Sequence, residues 1–211
     1  MVIMPKLSQL NSDDFIDQKI KAIAATGGFV LDVGGGERFQ KWLAPYRPLF
    51  NNCRFQTMDY DKQTAADVIG DIHKIPLTDN SVDSVICHSV LEHVENPLQA
   101  MREIHRILKP NGRAFVHVPS IYPYHARKGA YPDLWRIFDD TIPVLFQGFR
   151  EVEFVKRGGY FKALFFFLPF QHKIRFIIDP LSTFLDKLFR TKQRHTTAGY
   201  YIYAEKEFCD L

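Results

Sequence analysis

Cysteine is scarce: Cys53, Cys87 and Cys209 are the only three in 211 residues. They are odd in number and far apart, with no CxxC pair and no metal-ligand spacing, so a disulfide framework is excluded and no metal is expected. Charge of one sign is also lacking. The 27 Lys and Arg nearly balance 24 Asp and Glu, and a net charge of +3 is too small to imply a nucleic-acid partner by itself. No apolar run reaches the roughly 18 uninterrupted residues of a spanning helix. Met1 to Gln9 hold no long apolar stretch, so no secretory signal is expected. With 46% hydrophobic and 24% charged residues, the composition is that of a folded, cytoplasmic domain, and the length suits one α/β domain with an insertion.

The most informative segment is Val30-Leu31-Asp32-Val33-Gly34-Gly35-Gly36-Glu37. An apolar, strand-forming run enters three glycines. Phe39, Trp42 and Leu43 then fall on one face of a helix expected over 37–44, stopped near Pro45 and Pro48. Strand, glycine turn and helix start together would let a ligand approach bare backbone.

The rest of the chain alternates in the same way. A leading helix spans 10–27, with Phe15, Ile16, Ile20 and Ile23 at helical spacing and Gly27-Gly28 at its end. Strands are expected at Phe29 to Val33, Arg54 to Met58, Ala66 to Ile69, Val82 to Cys87, Arg113 to Val118, Glu151 to Val155 and Tyr200 to Ala204. Pro97 opens a helix to Leu108, and Lys109-Pro110-Asn111-Gly112 turns into the next strand. This alternation predicts a doubly wound, mainly parallel sheet with right-handed crossovers. Ligands of such sheets sit beyond the carboxyl ends of the strands, where Asp59, Asp71 and His88 fall.

A dinucleotide fingerprint requires G-x-G-x-x-G, and Phe39 stands where its third glycine belongs. That speaks against a nicotinamide-dependent oxidoreductase. Asp32-Val33-Gly34-Gly35-Gly36 instead resembles motif I of the class I S-adenosylmethionine-dependent methyltransferases. Ile75-Pro76-Leu77-Thr78-Asp79-Asn80-Ser81-Val82-Asp83 followed by Leu91-Glu92-His93-Val94 is similar to that family's "LPF-x-DNSFD" block and "LEHV". Leu108-Lys109-Pro110-Asn111-Gly112 resembles its "LKPGG" turn. The nearest group is the type 11, UbiE-like branch. The likeness covers 28–118 and returns in the last strand at 199–206; Arg38 departs from it, at a position that is often glycine.

The resemblance implies a Rossmann-like sheet of seven strands with the last antiparallel, and S-adenosyl-L-methionine as cofactor. It implies that Gly34, Gly35 and Gly36 admit the methionine part and that Asp32 meets its ammonium. Asp59 would accept from the ribose hydroxyls, with Tyr60 along the adenine. Asp71 would accept from the adenine amino group beside Ile72, and His88 would border the methionine end. Arg38 would alter the start of the helix or contact the cofactor carboxylate.

If the acceptor needs a base, His88, His93 and His125 are the candidates, since imidazole titrates near neutrality; His88 and His93 are the catalytic expectations. Glu92 reads more simply as an exposed helix acid, and His117 as structural. A lid or substrate region is expected over 119–148, where Tyr131, Trp135 and Arg136 are candidate acceptor contacts. His88-Ser89-Val90-Leu91 replaces the Asn-Pro-Pro-Tyr type of nucleobase motif, which speaks against DNA as acceptor and leaves RNA open. A non-catalytic S-adenosylmethionine-binding scaffold is the alternative to an enzyme.

Residues 160–195 form an apolar, Phe-rich insertion. Lys156 to His195 carry nine Lys or Arg against Asp179 and Asp186. The simpler expectation is a cap or dimer contact with its Phe residues buried. The other is a peripheral membrane contact through 160–190, which would suit a lipid-linked rather than a small-molecule acceptor. The oligomeric state is not legible.

Overall fold

The structure, a computed structural model, describes residues 4–170, 173–191 and 194–207. Cys209 lies outside them. Eight strands form one sheet: β1 (Lys6–Leu7), β2 (Phe29–Val33), β3 (Arg54–Asp59), β4 (Val68–Ile69), β5 (Val82–His88), β6 (Leu108–Pro119), β7 (Phe149–Lys156) and β8 (Gly199–Lys206). Their order is β1-β7-β8-β6-β5-β2-β3-β4. All neighbours are parallel except β8, which runs antiparallel to both β6 and β7. The expected seven strands and antiparallel last strand are present. The eighth is β1, an edge strand of two residues, too short to show a period.

Every residue of β2 is buried because helices cover both faces of the sheet. Leu31 and Val33 join Met58, Val85 and Cys87 beneath α2 (Pro97–Ile107). Val30 joins Phe55, Ile86 and Phe115 beneath α1 (Ser12–Ala24). Helix α1 starts where expected: the Asn11 side chain accepts from the amides of Asp13 and Asp14, and Gly27 (φ 63°) turns the chain after its end.

Two residues of the sequence motifs prove to be staples at the amino end of the strands, away from the ligand mouth. Asp83 accepts from the Phe29 amide at 2.8 Å, and Lys109 donates to both its carboxylate oxygens at 2.8 Å. They tie the starts of β2, β5 and β6 together.

The helix expected over 37–44 is absent. Phe39 (φ 56°) and Lys41 (φ 50°) both adopt the left-handed region, which breaks helical propagation. A 3-10 segment follows instead, from Lys41 through Pro45 and Pro48 to Phe50. The apolar spacing still finds partners: Phe39 stacks on Phe55 with centroids 4.2 Å apart, and Leu43 is buried. The glycine cluster therefore opens into a loop, with no helix N-terminus behind it.

The stretch expected to be a lid is largely irregular. A 3-10 turn at Asp139–Thr141 leads into α3 (Ile142–Leu145). Beyond β7 lie α4 (Tyr160–Phe165) and α5 (Arg175–Leu188). Helix α5 has an inverted face. It buries Ser182, Asp186 and Ile178, and exposes Phe176, Ile177, Leu181, Phe184 and Leu188. Asp186 explains why: its carboxylate accepts from the amides of Gly159, Phe161 and Lys162 and from the Thr191 hydroxyl, capping the start of α4. Burying that carboxylate turns the apolar side outward, so this helix does not bury its Phe residues within its own chain. Among the described residues no helix is long and apolar enough to cross a membrane.

Candidate active site

The order of β2 between β3 and β5 marks the topological switch point of the sheet, and the glycine loop opens at the carboxyl end there. Gly34 (φ 73°) and Gly36 (φ 57°) hold left-handed backbone that a side chain would strain. A Cβ on Gly34 would lie 2.4 Å from Val90 Cγ2, and one on Gly35 would lie 2.4 Å from Asp32 Oδ2. The Gly34 amide donates to Met58 O at 2.7 Å, fastening the loop to the end of β3. Bare backbone thus faces the place where Asp32 and Asp59 approach one another.

Asp32 is buried at 7% exposure, and no hydrogen bond to its carboxylate is formed among the described residues. Burial, and then the nearby Asp59 charge, push its pKa up to about 7. A buried carboxylate in this state is completed by a cationic partner. Asp59 lies at the end of β3, beside Gly36, and one of its oxygens accepts from the Asp61 amide at 2.9 Å. Tyr60 is 76% exposed, with its ring free to pack on a ligand. Ile72 is buried, while Asp71 Oδ1 is engaged by the amide and ring of His73 at 2.8 and 2.7 Å.

Arg38 does not reach into this mouth. Its guanidinium grips both oxygens of Asp67, which also accepts from the Thr57 amide at 2.8 Å. The residue that replaces the usual glycine is a clamp holding the loop to β3, and not a contact for the cofactor carboxylate.

His88 ends β5 with its ring stacked between Trp42 (centroids 4.5 Å apart) and His117 (4.4 Å). Burial, helped by the Arg157 charge, lowers its pKa to about 3, leaving the ring neutral and weakly basic. His117 is buried, as expected of a structural residue. Its Nδ1 meets the Ser89 hydroxyl at 2.7 Å and its pKa is held far below the ordinary value by desolvation.

A second cluster forms where Leu91-Glu92-His93 makes a 3-10 turn after β5. Glu92 is fully buried, not the exposed helix acid expected, and among the described residues neither carboxylate oxygen has a hydrogen-bond partner. Desolvation raises its pKa to about 7. His93 Nε2 lies 3.8 Å and His125 Nε2 3.7 Å from Glu92 Oε1. Burial lowers the His93 pKa. Asp133, which the sequence reading missed, backs the cluster. It binds Arg136 through both oxygens (2.6 and 2.7 Å), accepts from the His125 amide at 2.8 Å, and is thereby held down to about 2.

The three expected acceptor contacts fare differently. Arg136 donates to Tyr122 O, Pro123 O, Trp135 O and both Asp133 oxygens. All five of its N–H groups are thus used, so it is a staple of the 119–148 segment and has no donor left for a substrate. Trp135 is 42% exposed with its indole N–H on Val94 O, and Tyr131 is 41% exposed against the His93 ring. Both remain partly exposed beside the Glu92–His93 turn.

Residues 31–116 match the family model described as a methyltransferase domain. Among curated proteins, the chain is 41% identical over 66 residues to an uncharacterized 37.1 kDa transposon protein of Streptomyces fradiae, covering 31% of this chain and 18% of that one. It is 30% identical to a probable S-adenosylmethionine-dependent methyltransferase of Mycolicibacterium smegmatis, over 34% of this chain and 36% of the relative. The match spans 18 to 40% of the length of these and the other curated relatives. Among solved structures, an Archaeoglobus fulgidus SAM-dependent methyltransferase superposes with TM-score 0.57 at 14% identity, covering 92% of this chain and 95% of that one. A Haemonchus contortus phosphoethanolamine N-methyltransferase, solved with S-adenosyl-L-methionine, gives 0.56 at 14% identity, covering 91% and 53%. At such identities these are likenesses of fold. With the domain match over residues 31–116 and the glycine loop at the switch point, the chain is similar in that stretch, and in fold, to the class I S-adenosylmethionine-dependent methyltransferases.

Proposed function

We propose that the chain binds S-adenosylmethionine at the glycine loop and transfers its methyl group to an acceptor of lipid-like character. The observation that carries the first half is the convergence of a backbone cradle, a buried carboxylate without a partner and a strand-end carboxylate at one switch point. These residues fit the cofactor. Gly34 and Gly36 leave room for it against the backbone, and Asp32 answers an ammonium. Asp59 suits a vicinal diol, because an ionised carboxylate accepts two strong hydrogen bonds. Ile72 and Tyr60 offer apolar surface for a purine, and Asp71 an acceptor for its amino group.

S-adenosylmethionine supplies a methyl group already activated by a sulfonium, with a neutral thioether as leaving group. The protein's part is alignment and exclusion of water. An acceptor hydroxyl or amine must also lose a proton. His88 is a poor recipient, being neutral and enclosed in a stack. His93 and His125, beside Tyr131 and Tyr122 at the open mouth, are better placed.

Support for a lipid-like acceptor comes from a run of rings leaving the mouth. His125 meets Tyr122 at 5.2 Å, and Tyr122 meets Phe166, next to α4, at 5.0 Å. From there the surface continues into the exposed apolar side of α5, flanked by exposed Lys173, Arg175, Lys187 and Arg190. An apolar face fringed with cations suits an anionic lipid surface.

Calorimetric titration with S-adenosylmethionine and S-adenosylhomocysteine tests the cofactor reading. Saturable one-to-one binding is expected, about tenfold or more weaker in Asp59→Ala, which corresponds to about 1.4 kcal/mol. Absence of binding by folded wild-type protein would overturn it. Binding without methyl transfer to any of a panel of lipid extracts and small acceptors would favour the non-catalytic scaffold.

A further inference from the structure

We infer that Glu92, His93 and His125 form a binding site for one divalent transition-metal ion. One carboxylate oxygen and two ring nitrogens, one from each residue, all lie within 4.8 Å of one another. The separations of 3.7 and 3.8 Å between the carboxylate and the Nε2 atoms are close to what two ligands about 2.0–2.2 Å from a shared ion adopt.

The outer nitrogens settle which atoms face inward. His93 Nδ1 lies 2.5 Å from Pro132 O, an acceptor, so this nitrogen carries the proton. His125 Nδ1 lies 3.1 Å from Pro123 O and 3.2 Å from Asp133 Oδ2, both acceptors, and is protonated for the same reason. Each ring therefore turns its Nε2, the nitrogen free of these outer contacts, toward Glu92. The carboxylate in the middle is fully buried and, among the described residues, accepts no hydrogen bond. Three Lewis bases converge with no donor between them, an arrangement that repels itself until a cation joins it. Metal-binding histidines are held in the same way, the outer N–H on a carbonyl or carboxylate fixing the tautomer.

The nearest cation, Arg136, is neutralised by two contacts to Asp133 and donates nothing to Glu92. Two imidazoles and one carboxylate suit zinc, manganese or iron(II) better than magnesium, which prefers a shell of oxygens. His93 and His125 are half-buried, so a coordination position remains on the mouth side. On the methyl-transfer reading above, that position would take an acceptor oxygen and lower its pKa. The existence of the site does not rest on that reading.

Full-length protein freed of metal with chelator is titrated with zinc chloride, manganese chloride and magnesium chloride by calorimetry. Manganese binding is followed in parallel by electron paramagnetic resonance. One equivalent of zinc or manganese is expected to bind at least about tenfold more tightly than magnesium. Glu92→Gln and His125→Ala should each weaken uptake by at least about tenfold to a hundredfold, the cost already paid when only an outer-shell partner of a ligand is lost. The second changes a half-exposed loop residue, so it stays informative should the first fail to fold. S-adenosylmethionine binding should be the same in the His125→Ala variant, which separates failure of this site from failure of the cofactor reading. No stoichiometric uptake by folded protein, or uptake unchanged in both variants, would overturn the assignment.

Discussion

Arg38 holds Asp67 by both carboxylate oxygens, and Asp67 in turn accepts from the backbone of Thr57 in the strand that ends at Asp59. The pair thus links the exit of the glycine loop to the carboxylate expected to hold the ribose. The Asp67 carboxyl is held below its ordinary value, first by Arg38. A depressed carboxylate contributes stability above its unfolded value, near 4, and that contribution is lost as pH falls through the folded one. Arg38→Ala should therefore weaken S-adenosylmethionine binding several-fold at pH 7.5 while moving the melting temperature by only about 1–3 °C, because the guanidinium is half exposed. Equal binding by wild type and variant in calorimetry would show that the clamp does not shape the loop.

Asp32 makes a prediction of opposite sign. Its folded pKa, about 7, is raised above the unfolded 3.8, so the folded state holds the proton more tightly. Stability of the ligand-free protein should fall as pH rises from about 4 to about 7, then level off. Asp32→Asn removes that slope and should be more stable than wild type by roughly 1–3 kcal/mol at pH 8, while binding the cofactor poorly. Binding of an ammonium ionises the carboxylate, so calorimetry at pH 6 in buffers of different ionisation enthalpy should detect release of a proton that is absent in Asp32→Asn. A buffer-independent enthalpy at pH 6 in the wild type would refute the coupling.

Gly34 is disfavoured for substitution on two separate counts, its φ of 73° and the Val90 methyl 2.4 Å from the position of a Cβ. Gly34→Ala should destabilise by about 1–3 kcal/mol and reduce cofactor affinity. Val90→Ala in the same chain relieves the contact but not the dihedral, so it should recover part of the stability lost. Denaturant unfolding of the two single variants and the double variant measures the coupling. A coupling of zero would mean that Val90 moves aside freely.

The frame of the sheet was legible because its signals are local. Phe29–Val33 and Arg54–Asp59 announce themselves by apolar runs ended by glycine or aspartate, and Pro97 marks the start of α2 after an Asn cap. The residues proposed to hold the cofactor follow from motif order. What was hidden depends on distant partners. The helix expected after Gly36 fails because Phe39 is drawn onto Phe55, which asks for left-handed backbone. Glu92 looks like a surface acid until the 119–148 segment covers it: the amides of Leu134 and Trp135 both donate to its backbone carbonyl. His125 lies too far along the chain from His93 for any metal spacing to show. The inverted face of α5 depends on Asp186 serving another helix.

That inverted face carries the last prediction. Phe176 is 77% and Phe184 60% exposed, and burying one such ring stabilises association by roughly 1.5–3 kcal/mol. The protein should co-sediment with vesicles containing phosphatidylglycerol and much less with pure phosphatidylcholine, because the fringing Lys and Arg add an attraction that salt screens. Phe176→Ser combined with Phe184→Ser should remove most of that binding, and Lys187→Gln should reduce it about five-fold, as expected for removing one charge near the surface. Neither change touches the glycine loop, so cofactor titration should be unaltered. Analytical ultracentrifugation separates the rival outcome: a dimer that covers α5 would appear as a doubled mass, abolished by the same serine substitutions, with no sedimentation on either vesicle. A second copy of the chain, and not a lipid surface, would then be the natural cover for these rings.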